Sequence, residues 1–419
     1  MTRLALTAMA AALSVALVGC TAPAPLPTPT PTPSATVAPT GDGVLRIGTL
    51  FPMSGDIAFI GPGMVAAVEI AVRDIKAAGG VLGAPVEVLS RDSGDASEQK
   101  LEAAFAELVE RGIDVVIGPA TSALAERLLP LAAEAGVVVI SPAATYPLAR
   151  EAGGPSMLVR TIPAYEQQAS AIVRALAEEG EESVALVTTG DALGFAVELA
   201  VRAAVEEEGL RLESIEQLDA ATNVDRLAFS VAGGEPDAVI LATGTPLATQ
   251  NQAVIAALAD RGIEGERLWL TAQNLADYSA TVEAGLLEGA NGVLEGAAVS
   301  EELAVRLRQS DPALLSFRFA PETYDAVVLA ALAAVLADDD GGASIAAQLA
   351  SAASQGVPCA SFGECIEVLE TEPAIDYDGL SGPLTLDALG DVVEGELGLY
   401  EYTAENRPEL VGTLPIAAR

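Results

Sequence analysis

Histidine is absent from the 419 residues of this chain, and lysine occurs only twice, as Lys76 and Lys100. The absence of histidine excludes Ser-His-Asp and Cys-His catalysis and every histidine-based zinc site. Neither lysine lies in a phosphate-binding loop pattern, and no Gly-x-Ser-x-Gly nucleophile elbow occurs. The sequence therefore argues against an enzyme, and we expect no metal and no cofactor.

Positive charge is also scarce, since 21 Lys and Arg residues face 59 Asp and Glu residues, for a formal net charge of −38. Nucleic-acid binding requires clustered cations that displace phosphate counterions, so this balance argues against it. An acidic surface of this kind keeps a protein soluble. Paired carboxylates remain able to support hydrolysis, but acidic residues are too common here to single out a pair.

Long apolar runs are missing after the amino terminus, where none reaches the ~20 residues that a membrane-spanning helix needs. The amino terminus itself has Arg3, an apolar stretch over residues 4–18 and then Leu-Val-Gly-Cys20. This pattern is typical of a signal peptide, and its ending resembles the bacterial lipobox, whose cysteine is lipidated. We expect residues 1–20 to be a lipoprotein signal peptide. The alternative is an ordinary secretory signal in which Cys20 is incidental.

Proline and threonine dominate residues 21–43. Alternating proline forms neither a helix nor a sheet ladder and favours an extended polyproline conformation. At ~3.1 Å per residue, this segment is long enough to hold a domain up to roughly 70 Å from a membrane. The sequence predicts a stalk.

Only two cysteines follow the signal peptide, Cys359 and Cys365. A close pair in an exported chain usually forms a disulfide. The alternative is a pair of inert buried thiols.

Strands alternate with helices over the first half of the chain, most clearly between residues 114 and 145. Two short strands, residues 114–117 and 137–140, are apolar apart from Asp114, which is typical of a parallel sheet covered on both faces. Each run ends in a loop rich in Gly, Pro, Ser and Thr. Loops of this kind meet at the carboxyl edge of an open α/β sheet, where ligands bind. We expect a small polar binding site there.

A second alternation of helices and strands begins near residue 166 and repeats the architecture of the first. It is followed by a predicted helix over residues 321–338, an acidic triplet at 338–340 that is typical of a surface loop, and a β-hairpin region at 377–387 and 396–403. The sequence predicts an α/β fold of two similar doubly wound lobes with a cleft between them.

Several motifs resemble a known family. They are Ile-Gly-Thr-Leu-Phe-Pro-Met-Ser-Gly at 47–55, Ala-Ala-Gly-Gly-Val-Leu-Gly at 77–83, Val-Ile-Gly-Pro at 116–119, Ile-Ser-Pro-Ala-Ala-Thr at 140–145, Tyr-Asp-Ala at 324–326 and Asp-Gly-Leu-Ser-Gly-Pro-Leu-Thr-Leu at 378–386. In order and spacing they resemble the leucine/isoleucine/valine-binding proteins, which are type I periplasmic solute-binding proteins of ABC importers. The resemblance covers roughly residues 44–403.

The resemblance implies two lobes that close on a ligand about a hinge of three crossovers. The crossovers are expected near Pro163, Leu294 and Asp376. The implied domain bounds are 44–163 with 295–375 for lobe I, and 164–294 with 376–419 for lobe II.

The same resemblance implies that the first lobe holds the α-carboxylate and α-ammonium of an amino acid. The matching positions are Ser122, Ala143, Ala144 and Thr145. Hydroxyl and N–H groups suit a carboxylate, and a backbone carbonyl suits an ammonium. Turn chemistry alone is the alternative explanation of these residue types.

The second lobe departs from the family pattern where a glutamate would bind the ammonium, since that position falls on Gln273. An amide offers no charge to an ammonium group. Asp191 is a candidate replacement carboxylate, and the alternative is that it is a solvated turn residue.

Positions that are aromatic in the family also differ here. One falls on Leu193, one on Phe59 or Ile60 depending on a one-residue shift, and one on Thr245. The ligand class therefore stays open between an amino acid, a carboxylate without an ammonium, an amide or urea-like solute, and a small aromatic acid.

The predicted function is that of a monomeric, exported protein, lipid-anchored to the outer face of the cytoplasmic membrane. It would capture an amino acid or a related small polar metabolite in the interlobe cleft, without breaking a bond, and deliver it to an ABC permease. Anchoring would raise its effective concentration near that permease. A ligand-sensing receptor of the same fold is the alternative.

Overall fold

The computed structural model describes residues 38–146, 156–244, 247–296, 298–354 and 356–416. The predicted signal peptide with Cys20, most of the predicted stalk and Thr245 lie outside the described residues.

Alternating strands and helices make up most of the described chain. The strands are β1 Arg46–Phe51, β2 Glu87–Asp92, β3 Val115–Ile117, β4 Val138–Ser141, β5 Leu158–Arg160, β6 Ser183–Thr188, β7 Arg211–Gln217, β8 Ala238–Ala242, β9 Leu268–Leu270, β10 Asn291–Leu294, β11 Val357–Cys359, β12 Ile375–Tyr377, β13 Gly395–Tyr402 and β14 Pro408–Ile416. The α-helices are α1 Gly61–Ala77, α2 Lys100–Val109, α3 Ser122–Ala135, α4 Tyr165–Glu179, α5 Ala192–Glu208, α6 Val224–Gly233, α7 Ala248–Ala259, α8 Glu301–Ser310, α9 Ala320–Ala337, α10 Gly342–Ala352 and α11 Phe362–Leu369.

The first lobe is built around a five-stranded sheet of order β2-β1-β3-β4-β5. All its strands are parallel, with Gly48 beside Val116 and Val116 beside Val139. Strands β3 and β4 are fully buried, as their apolar sequences predict. The sequence predicts this strand over residues 84–90, but β2 begins three residues later, at Glu87, because it is a partly exposed edge strand without a clear apolar pattern.

The second lobe is built around a seven-stranded sheet of order β14-β13-β10-β9-β8-β6-β7. Its strands from β10 to β7 are parallel, and the hairpin of β13 and β14 adds two antiparallel strands at the other edge. Its first strand, β13, lies within a residue of the predicted 396–403, but β14 lies beyond the predicted region, and residues 378–387, also predicted there, form turns and isolated bridges. Two doubly wound α/β lobes are present, so the predicted fold class is confirmed.

Helix α9 is the central helix of the first lobe and packs against α1, α10, β3 and β4. From Ala326 onward it is apolar on all sides, which is expected of a helix that has no solvent-facing side. Within the described residues it is the one helix whose length and composition would suit a membrane span, and 83% of it is buried in the protein. Its apolar character is therefore explained by its place in the core.

Of the acidic triplet after α9, Asp338 is exposed as predicted for a surface loop, but the prediction is wrong for Asp339 and Asp340. Asp339 is 7% exposed and Asp340 is 1% exposed. Asp339 accepts hydrogen bonds from the N–H groups of Thr40 and Gly41 at 3.3 and 2.9 Å. Asp340 accepts from the N–H groups of Gly43 and Val44 at 2.9 and 3.0 Å. Both carboxylates are buried because they satisfy the backbone of the segment that leads into β1.

A buried carboxylate on α9 also holds the segment that follows β12, where the third crossover is predicted. Asp325 accepts hydrogen bonds from the Tyr377 hydroxyl at 2.7 Å, from the Leu380 N–H at 2.9 Å, and from the N–H and hydroxyl of Ser381 at 2.7 and 2.5 Å. A Cβ at Gly379 would collide with this carboxylate, so only glycine fits there. Burial raises the pKa of Asp325, while these donors act in the opposite direction.

Cys359 and Cys365 form a disulfide, with 5.2 Å between their Cα atoms. The bond joins the end of β11 to helix α11, whose first N–H groups are capped by Ser361. Both cysteines are buried against the core of the first lobe.

Candidate functional site

Ser122 and Thr145 lie in two loops that follow β3 and β4 at the carboxyl edge of the first sheet. Thr121 caps helix α3 through a hydrogen bond from the Leu124 N–H at 3.3 Å, which places Ser122 at the helix amino terminus. The Ser122 hydroxyl accepts a hydrogen bond from the Tyr146 N–H at 2.9 Å. This bond joins the two loops and leaves the hydroxyl hydrogen of Ser122 available to donate.

The loop after β4 is held rigid from inside the lobe. The Ser141 hydroxyl accepts from the Ala144 N–H at 3.0 Å and donates to the Pro119 carbonyl at 2.7 Å. Arg160 donates to the Ala144 carbonyl at 3.2 Å. Ala144 is fully buried, so its N–H, carbonyl and methyl group are all enclosed by protein. Within the described residues, the Ala143 carbonyl and the Thr145 hydroxyl have no such partner.

Tyr165, the first residue of α4, connects this loop to the second lobe. Its N–H donates to the Thr145 carbonyl at 2.7 Å, and its ring lies 5.7 Å from that of Tyr146. The Tyr165 and Thr271 hydroxyls are 2.5 Å apart. The loop after β9, which contains Thr271 and Gln273, is thereby fixed relative to the loop after β4.

Gln168, one turn further along α4, also holds the loop after β9. Its side-chain carbonyl accepts from the Ala272 N–H at 3.0 Å. Gln273 follows directly and is partly exposed. The structure therefore brings Ser122, Thr145 and Gln273 into one region, joined through α4.

The remaining residues predicted for the second lobe are at the start of α5. Leu193 is partly buried and packs against the core. Asp191 caps α5, accepting hydrogen bonds from the Gly194 N–H at 2.9 Å and the Thr189 hydroxyl at 2.7 Å. Burial acts to raise the pKa of Asp191, but these two hydrogen bonds bring it below its ordinary value.

Phe59 and Ile60, the two alternatives for one aromatic position, differ in exposure. The Phe59 side chain is 50% exposed, whereas Ile60 is 4% exposed and packs in the core of the first lobe. Phe59 is therefore the residue of this pair that a ligand can reach.

Glu295 and Arg318 form an ion pair after β10 that the sequence analysis did not anticipate. Glu295 directly follows β10 and is 5% exposed. Its Oε1 accepts from Arg318 at 2.5 Å, and the Arg318 guanidinium lies 4.8 Å from the ring centre of Phe319. The only sequence signal was an acidic residue after a buried strand at a crossover, which the many other acidic residues obscured.

The two tyrosines that hold the Ser122 and Thr145 loops, Tyr146 and Tyr165, have raised pKa values. Burial raises the pKa of Tyr146, and the negative charges of Glu295 and Asp191 raise it further. The pKa of Tyr165 is also raised, first by burial. The described residues contain no group of three Asp, Glu or Cys residues that could hold a metal ion. The arrangement offers hydroxyl donors, a free carbonyl and a buried carboxylate, which suit a small polar ligand.

Residues 44–363 match the family model described as periplasmic binding protein. A Leu/Ile/Val-binding protein from Rhizobium johnstonii is 30% identical over 178 residues, which is 42% of this chain and 48% of that protein. A leucine-, isoleucine-, valine-, threonine- and alanine-binding protein from Pseudomonas aeruginosa is 28% identical over 178 residues, 42% of this chain and 47% of that one. The matched stretch spans about half the length of these relatives.

Solved structures show the same fold. A branched-chain amino acid transporter substrate-binding protein from Streptococcus pneumoniae, in complex with isoleucine, has a TM-score of 0.58 at 20% identity and covers 89% of this chain and 99% of its own. A substrate-binding protein from Desulfitobacterium hafniense, in complex with Leu, has a TM-score of 0.62 at 21% identity, covering 88% and 100%. A solute-binding protein from R. palustris with 4-hydroxybenzoate has a TM-score of 0.60 at 16% identity, covering 90% and 97%.

The predicted resemblance is confirmed by the family match, which extends over more than half of the chain, and by the shared two-lobed fold. This chain belongs to the periplasmic binding protein family.

Proposed function

We propose that this protein binds an amino acid or a related small carboxylate outside the cytoplasm and delivers it to an ABC permease. Family membership and the names of its relatives support the transport role. The observation that carries the ligand class is the polar cluster at the carboxyl edge of the first sheet. There the hydrogen bond from the Tyr146 N–H to the Ser122 hydroxyl joins the loop that contains Thr145 to the amino terminus of α3.

The proposed protein–ligand contacts form two groups, one to the α-carboxylate of an amino acid and one to its α-ammonium. The hydroxyls of Ser122 and Thr145 donate to the ligand carboxylate, and the Ala143 carbonyl accepts from its ammonium. Phe59, Leu193 and Gln273 surround the rest of the ligand. Ala144 and Ile60 are left out of this set, because both are enclosed by protein.

The remaining features of the proposal come from the sequence. Cys20 carries a lipid anchor, residues 21–43 form the stalk, and the protein acts as a monomer. Lobe closure about the crossovers near Pro163, Leu294 and Asp376 distinguishes the loaded from the empty form, and the permease recognises the loaded form.

A carboxylate that has no ammonium group is the second candidate ligand. It is favoured by Gln273, whose amide lacks the charge that would attract an ammonium group. The two candidates differ by one functional group, so direct binding comparisons separate them.

A thermal-shift panel on the full-length chain tests the proposal. It contains branched and polar amino acids, amides, and aliphatic and aromatic carboxylates. A ligand that binds only the folded state stabilises it by ~2.7 kcal/mol at a hundredfold excess over its dissociation constant. The expected result is a shift with one ligand class that Thr145→Ala removes, while Thr281→Ala, at an exposed threonine, leaves it unchanged. No shift with any compound, together with turnover of one of them, would overturn the proposal.

A further inference from the structure

Arg160 is a buried cation at the end of β5, and it holds the loop after β4 on both sides of Thr145. The residue is 2% exposed. One terminal nitrogen of its guanidinium donates to the Ala144 carbonyl at 3.2 Å and to the Tyr146 carbonyl at 3.0 Å. The carbonyl between these two, that of Thr145, accepts the Tyr165 N–H at 2.7 Å. Three successive carbonyls of the loop are therefore fixed by residues near the predicted first crossover.

The charge of Arg160 is balanced by Asp391, which lies 231 residues further along the chain. The Arg160 Nε donates to Oδ1 of Asp391 at 2.6 Å, and a terminal guanidinium nitrogen lies 2.6 Å from the same oxygen. A buried guanidinium is costly unless an opposite charge and further acceptors meet it. The carboxylate and the two loop carbonyls meet this need on different sides of the planar guanidinium, so the position of Asp391 decides how the loop carbonyls are held.

Asp391 is presented by a tight turn that lies against β5. The Asp387 side chain accepts the Asp391 N–H at 2.9 Å, and the Asp387 carbonyl accepts the Gly390 N–H at 3.0 Å. The Gly390 carbonyl in turn accepts the Arg160 N–H at 2.9 Å. Gly390 has a φ of +80°, and a Cβ there would lie 2.7 Å from the Val159 side chain, so glycine is required for this approach. The turn and β5 together fix Asp391 relative to Arg160.

The same turn is joined to the second lobe through Gln167 of α4, which is 5% exposed. The Gln167 amide nitrogen donates to the Val392 carbonyl at 2.9 Å, and its side-chain oxygen accepts the Ala164 N–H at 2.7 Å. The loop after β4, the start of α4 and the turn before β13 thus form one hydrogen-bonded network around Arg160. Thr145 is the member of this network that belongs to the proposed ligand contacts.

We propose that Arg160 is a positioning residue for ligand binding and that Asp391 sets its orientation. The guanidinium holds the carbonyls on either side of Thr145, and so fixes the direction in which the Thr145 hydroxyl and the neighbouring Ala143 carbonyl face the ligand. Ligand affinity then depends on a turn of the carboxyl-terminal segment that takes no part in the proposed ligand contacts. This inference rests on the proposed function, and it adds the part of the chain that controls the geometry of that site.

Arg160→Lys and Asp391→Asn test the proposal by calorimetry on the full-length chain. The probes are leucine and 4-methylpentanoate, or a compound that shifts the melting temperature in the panel where neither binds. Lysine keeps the charge, but its single ammonium nitrogen does not reproduce the planar fork that meets two carbonyls and a carboxylate. Asparagine keeps the shape of Asp391 and removes its charge. We expect each variant to weaken binding of the probe about tenfold, which corresponds to the loss of one charged hydrogen bond.

The dissociation constant and the stoichiometry separate positioning from a purely structural role. Unfolding lowers the number of binding sites per chain, whereas a misplaced loop raises the dissociation constant of the sites that remain. In the double variant we expect no greater loss than in Arg160→Lys alone, because Asp391 acts through Arg160. Asp74→Asn is the matched control, since it breaks the ion pair of α1 with Arg306 of α8 at 2.7 Å and is expected to leave the dissociation constant unchanged.

An unchanged dissociation constant in both single variants, whatever their stability, overturns the inference and leaves the proposed function standing. Additive losses in the double variant also overturn it, because Asp391 would then act independently of Arg160. Asp391→Asn alters a partly exposed side chain, so it keeps the test decisive where Arg160→Lys does not fold. A wild type that binds no compound of the panel counts against the proposed function, and the inference fails with it.

Discussion

Replacing Asp114 with asparagine is expected to stabilise the protein at alkaline pH and to have little effect at acidic pH. Asp114 precedes β3, and one of its oxygens accepts the Arg46 N–H at 2.8 Å. Burial raises the pKa of Asp114 from 3.8 to about 7, and the charges of Asp340 and Asp42 add to this effect, against the opposing hydrogen bond and charge of Arg46. The folded protein therefore holds this proton over a pH range in which the unfolded chain has lost it.

The sign of the effect follows from proton linkage. Between pH ~4 and ~7 the folded state binds more protons at Asp114 than the unfolded state, so this group makes stability fall as pH rises. About three pKa units correspond to ~4 kcal/mol at most. Since the carboxyl group is partly exposed, solvent screening reduces this to ~2 kcal/mol. Asparagine keeps an oxygen for the Arg46 N–H and avoids the buried charge.

Urea denaturation of both proteins from pH 4 to pH 8.5 measures this difference. We expect Asp114→Asn to match the wild type near pH 4 and to exceed it by ~2 kcal/mol above pH 7.5. Asp42→Asn is the control, because Asp42 is exposed and its pKa is lowered by its hydrogen bond with Arg46. A difference between Asp114→Asn and wild type that stays constant across this range would refute the reasoning.

Three further predictions concern other parts of the chain. Asp325→Ala should lower the free energy of unfolding by ~3–5 kcal/mol, because it leaves the buried donors of the third crossover without an acceptor, and urea denaturation measures this loss. Replacing both Cys359 and Cys365 with alanine should cost ~2 kcal/mol, because the short loop gains entropy in the unfolded chain, and an unchanged urea midpoint would contradict this. Thr145→Ser should retain most of the ligand binding that Thr145→Ala loses, as measured by calorimetry, since serine keeps the hydroxyl.

The parts of the fold that the sequence predicts well are those in which burial decides the structure. Strands β3 and β4 are short apolar runs bounded by turn residues, and the structure places them within a residue of the predicted bounds. The predicted bounds of the edge strand β2 are less accurate, because its exposed residues leave no continuous apolar pattern in the sequence.

The burial of charged residues is harder to predict from the sequence, because it depends on partners that are distant in sequence. Asp339 is bonded to Thr40, 299 residues away, and no local pattern reveals that contact. The burial of Glu295 is not predicted for the same reason, since its partner Arg318 follows 23 residues later in the chain. The positions of Ser122 and Thr145 came from a family resemblance, while the hydrogen bonds that hold their loops came only from the structure.

The four hydrogen bonds from Thr40, Gly41, Gly43 and Val44 to the acidic pair after α9 have a mechanical consequence. They fasten the entering chain to the corner between α9 and α10, well inside the first lobe. A pull on the chain upstream of Thr40 is therefore borne by that corner, and the crossovers carry none of the load. In the proposed closure, the first lobe would be the part held by the entering chain and the second lobe the part that moves.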